Sequence, residues 1–190
     1  MVVANAKLTL ATERLLIRPL TLEDAPDIAE LRADPEVMKH TSLLPTDDIR
    51  ESDKWIKGCH DRPECWIFVI ELLWEPENGT LRCCPPVIGT IGAVRAPEIG
   101  YMLKRQYWGK GYATEALQAF VRLFFEHYSG RKGQARYEYA EAHVDPECLA
   151  SQNVLQKADF RLAEVREKDF DNPKLGLRDT WIFRTTRPEE

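Results

Sequence analysis

Long apolar runs are missing from this chain of 190 residues: no segment reaches the roughly 18 consecutive apolar residues of a membrane-spanning helix. Met1 to Leu10 has no basic head followed by an apolar stretch, so it does not read as a secretory signal. There are only five cysteines, Cys59, Cys65, Cys83, Cys84 and Cys148. Their odd number and irregular spacing argue against a secreted disulfide framework and point to free thiols in a reducing cytoplasm. Neither C-x-x-C nor H-x-x-x-H spacing occurs, so no metal is expected. Basic runs are also absent and the formal net charge is −5, which excludes the electrostatic signature of a nucleic-acid binder. A mild acidic surplus slightly favours a cationic substrate. No repeat, low-complexity tract or linker divides the chain.

What is present fits one soluble domain: 44% apolar and 30% charged residues, with enough length for a substantial core. Leu8 to Leu10 and Leu15 to Leu20 read as an opening strand or hairpin ended by Pro19. Thr21 to Asp24 resembles a capping box, followed by a helix with Ala25, Ile28 and Leu31 on one face and a break at Asp34-Pro35. A loop over His40 to Thr46 leads to a second helix from about Asp47 to Cys59, with Ile49, Trp55 and Ile56 apolar. Trp66 to Ile70 is a central strand, Glu75 to Pro86 an irregular insertion or long hairpin turn, and Val87 to Val94 and Glu98 to Leu103 two further strands.

The next helix, Ala113 to about Tyr128, carries Ala116, Leu117, Phe120, Val121, Phe124 and Phe125, and Ser129-Gly130 ends it. Tyr137 to Val144 is a strand stopped by Pro146. Cys148 to Ala158 is a short helix with Leu149, Val154 and Leu155 inward. Phe160 to Val165 and Thr180 to Phe183 are closing strands around a loop, Asp169 to Leu177. The order predicts a mixed α/β (α+β) domain. Its expected sheet is mixed but mostly antiparallel, with about six or seven strands and about four flanking helices, over residues 8–184, with 1–7 and 185–190 as tails.

The most informative stretch is Gln106-Tyr107-Trp108-Gly109-Lys110-Gly111-Tyr112-Ala113, between a strand and a helix. Two glycines flanking one residue let the backbone approach a ligand closely. The following helix aims its unpaired N–H groups and positive dipole end into the loop, an arrangement suited to phosphate or pyrophosphate. The spacing is not that of a Walker loop, and no third glycine completes a dinucleotide fingerprint.

Together these residues resemble the GCN5-related N-acetyltransferase (GNAT) superfamily, whose acetyl-CoA signature Gln/Arg-x-x-Gly-x-Gly/Ala reads here Gln106-x-x-Gly109-x-Gly111. The run Ile99 to Leu103, then Tyr107 to Leu117, looks closest to the branch that includes ribosomal-protein alanine N-acetyltransferases. Val144 to Phe160 is similar to that branch's V-x-x-x-N-x-x-S-x-x-V-L-x-K-x-G-F, and the resemblance spans about Leu8 to Arg184. It implies that the amides of Gly109, Lys110, Gly111, Tyr112 and Ala113 hold the CoA pyrophosphate. Gln106 and Trp108 then shape the loop, and backbone groups around Met102 and Leu103 meet the pantetheine arm. It also implies acetyl transfer from acetyl-CoA to a primary amine by a monomer or homodimer, without nucleic-acid or membrane partners. The amine is a protein N-terminus, a lysine or a small molecule. A non-catalytic acyl-CoA-binding or interaction module on the same fold is the alternative.

Such a reaction needs a deprotonated amine, because a lysine titrates near about 10.4 and an α-amine near about 8. It also needs a polarised thioester carbonyl, which the resemblance assigns to a backbone N–H of the strand before the loop, and some relief for the leaving thiolate. Glu98 is the first candidate base, directly or through a water, while Glu141 and His143 share one face of the next strand. Three departures from the pattern stand out. Leu155 occupies the place of a frequent tyrosine acid, Cys148 that of an asparagine, and Asp159 that of a glycine. Ser151 is retained and is expected near the thiol as a proton or hydrogen-bond donor, with a role in both catalysis and cofactor binding. The loops His40 to Thr46 and Asp169 to Leu177 are expected to select the amine.

Overall fold

A computed structural model describes residues 8–73, 85–130, 133 and 135–188. Strands β1 (Leu10–Ala11) and β2 (Leu15–Pro19) form the opening hairpin, followed by helices α1 (Ala25–Ala33), α2 (Pro35–Met38) and α3 (Ile49–Asp61). Strands β3 (Trp66–Leu72), β4 (Val87–Arg95) and β5 (Glu98–Leu103) lead to α4 (Tyr112–His127). The chain closes with β6 (Tyr139–Val144), α5 (Leu149–Lys157), β7 (Arg161–Asn172) and β8 (Gly176–Thr186). One eight-stranded sheet results, in the order β1-β2-β3-β4-β5-β6-β8-β7. Every pairing is antiparallel except β5 with β6.

The mixed, mostly antiparallel architecture is the expected one, with eight strands and five α-helices among the described residues in place of about six or seven and about four. The extra helix, α2, arises at the expected break. Pro35 sits at its first position, where a missing N–H costs nothing, and the Asp34 side chain accepts from Glu36 N at 2.8 Å. Most of the loop expected over Asp169 to Leu177 is strand: only residues 173–175 lie between β7 and β8. The long edge strand β7 is largely exposed, so its composition carries no apolar signature of a strand. The strand β8 reaches Thr186, two residues beyond the expected domain end. Most of the insertion expected at Glu75 to Pro86 lies outside the described residues.

Helices pack on both faces of the sheet. The larger core joins Phe68, Ile70 and Ile91 of the central strands to Leu117, Phe120 and Phe124 of α4 and to Leu155 of α5. The smaller core joins Leu20, Ile28, Leu31 and Ile56 to Val69 and Val87 on the other face. Leu123 joins the buried face of α4, whereas Val121 is half-buried. Leu149, expected inward, is exposed, as is the apolar Ile49: each is the first residue of its helix and points outward there. The capping box forms as expected, and Asp24 also accepts two bonds from Arg18, at 2.9 and 2.7 Å.

Candidate active site between the diverging strands

The parallel strands β5 and β6 are joined at one register position, Glu98 opposite Glu141, and part beyond it. The opening that results lies at the middle of the sheet. Backbone groups along β5 alternate sides. The Lys104 N–H bonds to Ile88 O at 2.8 Å, and a Cβ on Gly89 would lie 2.1 Å from Met102 O, so Met102 and Lys104 turn their backbone toward β4. Tyr101 and Leu103 therefore turn theirs toward the opening. Of the expected pair Met102 and Leu103, only Leu103 presents its backbone there.

The glycine loop follows directly. Gly109 (φ 73°) and Gly111 (φ 83°) both adopt left-handed backbone, which explains glycine at these two positions. A Cβ at Gly109 would meet nothing within 4 Å, so the space above it is open. Gly111 is the N-cap of the 16-residue α4 and has no side chain to satisfy the first N–H groups of Tyr112 and Ala113. Gln106 and Lys110 are exposed at the rim. Trp108 donates its indole N–H to Leu103 O at 2.8 Å, which fixes the loop to the strand end.

The loop is braced from the β1–β2 turn by Arg14, which the sequence reading passed over. Arg14 Nε donates to Glu115 Oε2 at 2.7 Å, its Nη1 donates to Lys110 O at 3.0 Å, and its guanidinium covers the Tyr112 ring at 4.6 Å. Burial alone would raise the Glu115 carboxyl, but hydrogen bonds from Thr12 and Arg14 outweigh it and hold the group below the usual range. A carboxylate in the first turn also suits the helix dipole.

On the face of the sheet toward α1 and α3, Glu98, His143 and Glu141 converge, as sequence spacing had grouped the latter two. His143 Nε2 lies 3.1 Å from Glu141 Oε1, and His143 Nδ1 lies 3.8 Å from Glu98 Oε1. Burial acts to raise Glu141, but bonds from Arg184 (2.9 Å) and His143 outweigh it and hold the carboxyl below the usual range. Glu98 has one exposed partner, Arg95, at 3.1 Å.

The two expected specificity segments meet through Asn172. Asn172 Nδ2 donates to Lys39 O (3.1 Å) and Thr41 O (3.2 Å), while its Oδ1 accepts from Lys174 N and Leu175 N, both at 2.9 Å. Asp145 stands 3.2 Å from His40 and accepts two bonds from Arg178, at 3.1 and 3.2 Å. The hairpin tip is thereby tied to the segment that opens the loop over His40 to Thr46.

On the opposite face, Ser151 of α5 meets Tyr101 of β5: Oγ and Oη are 2.8 Å apart, and Oη also donates to Ser151 O at 3.2 Å. Burial drives the Tyr101 phenol well above its ordinary range, against the lowering effect of its hydrogen bond with Ser151. Leu155 is fully buried in the core and brings no hydroxyl to the opening. Cys148 is the half-buried N-cap of α5, its thiol raised chiefly by burial. Asp159 has φ 62°, so the family glycine it replaces corresponds to a left-handed helix exit that Asp also tolerates.

The chain is similar to known proteins over most of its length. Residues 14–161 match the family described as the acetyltransferase (GNAT) domain. The chain is 30% identical over 187 residues to the uncharacterized N-acetyltransferase p20 of Bacillus licheniformis, an alignment covering 95% of this chain and 97% of that protein. Solved structures with the same fold include a GNAT-family acetyltransferase from Bacillus anthracis (TM-score 0.73, 21% identity, 94% of this chain and 98% of that one). Another is Mycobacterium smegmatis RimJ in complex with CoA-disulfide (TM-score 0.70, 21% identity, 90% of this chain and 81% of that one). The chain belongs to the GNAT acetyltransferase family and is an acyltransferase. No helix among the described residues is long and apolar enough to cross a membrane.

Proposed function

We propose that the protein moves the acetyl group of acetyl-CoA directly to a primary amine, with both reactants held side by side. The observation that carries this reading is the continuity of the β5–β6 opening with a left-handed two-glycine loop at the start of a long helix. Such a path suits a thioester arm that ends in a pyrophosphate. The amides of Gly109 to Ala113 hold the pyrophosphate, Gln106 and Trp108 shape the loop, and Leu103, with Tyr101 rather than Met102, faces the pantetheine. Open space above Gly109 fits this assignment.

Glu98 takes the amine proton, directly or through a water, with His143 beside it; Glu141 is already committed to Arg184. Ser151 meets the departing thiolate. Because the substrate is the nucleophile, juxtaposition supplies much of the rate. The acceptor, a protein N-terminus, a lysine or a small amine, enters beside the junction of Asn172 with Thr41. Free-thiol release from acetyl-CoA with a panel of peptides and small amines tests the reading. Turnover with at least one amine supports it. Tight CoA binding with no transfer to any of them overturns it in favour of a non-catalytic module.

A further inference from the structure

The hydrogen bond between Tyr101 and Ser151 spans the opening, because one residue lies on β5 and the other on the helix that follows β6. We infer that Tyr101 is a positioning residue: its phenol donates to Ser151 Oγ and so turns the serine hydrogen toward the sulfur of bound CoA. The inference rests on the acetyl-CoA reading above and adds to it a group that neither the loop motif nor the later motif contains.

The chemistry of the pair supports this role over others. Leu155, one helical turn after Ser151, is buried in the core and carries no hydroxyl. A phenol nevertheless reaches the same helix, one turn earlier, from the opposite strand. Its burial keeps it protonated at neutral pH, so it is a lasting donor and not a proton source. Two arrangements are open to the pair. With Tyr101 donating to Ser151 O, the serine hydrogen is turned to the phenol oxygen. With Tyr101 donating to Ser151 Oγ, that hydrogen is released for another acceptor, and a sulfur gaining charge favours the second arrangement.

The step balances without Tyr101 losing its proton. The amine nitrogen bonds to the acetyl carbonyl carbon, the C–S bond breaks, its electron pair goes to sulfur, and the Ser151 hydroxyl donates a hydrogen bond to that sulfur. The proton released by the amine leaves through Glu98 and finally accompanies the thiol. Cys148 is another titrating group acting on the Tyr101 phenol, and its carbonyl oxygen accepts from Ser151 N at 3.1 Å.

The test reads the thiol of CoA bound to the full chain, titrated by its ultraviolet thiolate absorbance as a difference from the CoA-free protein. Tyr101→Phe and Ser151→Ala are each expected to raise the bound thiol's pKa by about one unit relative to wild type, as expected for loss of a hydrogen bond to a charged group. The double variant is expected to match Ser151→Ala alone, because Tyr101 acts through Ser151. Tyr101→Met, a second variant without the hydroxyl, should show the same rise if the phenylalanine form folds poorly. CoA binding with a Tyr101→Phe titration equal to wild type, or shifts that add in the double variant, overturns this inference alone. A wild-type protein that binds no CoA overturns the acetyl-CoA reading, and this inference with it.

Discussion

Arg14 and Glu115 stand 101 residues apart in sequence, yet Arg14 Nε donates to Glu115 Oε2 at 2.7 Å while Nη1 of the same guanidinium donates to Lys110 O. One side chain thus joins the first hairpin, the glycine loop and the first turn of α4. Arg14 is partly exposed, so the ion pair itself contributes only about 1 kcal/mol to stability. Its larger effect is expected on the loop: Arg14→Ala should weaken CoA binding about fivefold with a small change in melting temperature. Calorimetric titration with CoA checks this; unchanged affinity would show that the loop holds its shape without the brace.

Gly109 and Gly111 separate backbone strain from ligand contact. Nothing lies within 4 Å of a Cβ built on Gly109, so Gly109→Asp meets no protein atom, and Asp tolerates left-handed backbone better than most residues. The fold should survive while CoA binding is lost, through bulk and negative charge in the pyrophosphate's place. Thermal melting with and without CoA reads both at once. Retained stabilisation by CoA would remove the basis of the loop assignment.

Glu98→Gln is expected to slow acetyl transfer about 100-fold at neutral pH, within the usual range for general-base catalysis, with CoA affinity unchanged. The pH–rate profile should lose its rise with pH. An identical profile in the variant would exclude Glu98 as the base and leave His143 as the nearest alternative.

Asn172→Ala removes donors to Lys39 O and Thr41 O and frees the hairpin turn. Leaving two carbonyls short of a partner is expected to cost about 2 kcal/mol of stability. The more specific expectation is kinetic: KM for the amine rises while the CoA dissociation constant holds. Equal losses for both substrates would place the effect in the general fold instead of the acceptor side.

Asp24 should contribute to acid sensitivity. Burial acts to raise its carboxyl, but Arg18 and the Thr21 backbone N–H hold it below the usual range. A depressed folded value means that the unfolded chain binds the proton more readily. The stabilisation is therefore complete above about pH 4 and is lost as pH falls through the lower folded value. Arg18 stays charged throughout, its guanidinium raised above its ordinary range chiefly by the hydrogen bond to Asp24. Asp24→Asn should cost about 2 kcal/mol in urea unfolding at pH 7, and the gap to wild type should narrow as the solution is acidified. A gap of the same size at pH 7 and in acid would contradict the linkage.

Much of the fold was legible because the central strands and α4 carry their apolar residues in regular order. The β7–β8 hairpin was underestimated for the opposite reason: its outer strand is exposed, and Asn172-Pro173 and Gly176 read as a loop when they build only a tight turn. The grouping of Glu141 with His143 was readable from a spacing of two along a strand. Asp145 and Glu115 went unread, because their partners Arg178 and Arg14 lie 33 and 101 residues away in sequence.

By itself the sequence determined the glycine loop, the elements on either side of it and the second motif around Ser151. These depend on local backbone preference: two residues without a Cβ allow left-handed turns, and helix and strand periods follow neighbouring side chains. Only the tertiary structure decided that β5 and β6 separate after Glu98, that Met102 turns its backbone away, and that Tyr101 meets Ser151 50 residues later. Those outcomes depend on strand register and on the packing of α5 against the sheet, since a shift of one residue would reverse every backbone group and side chain along β5.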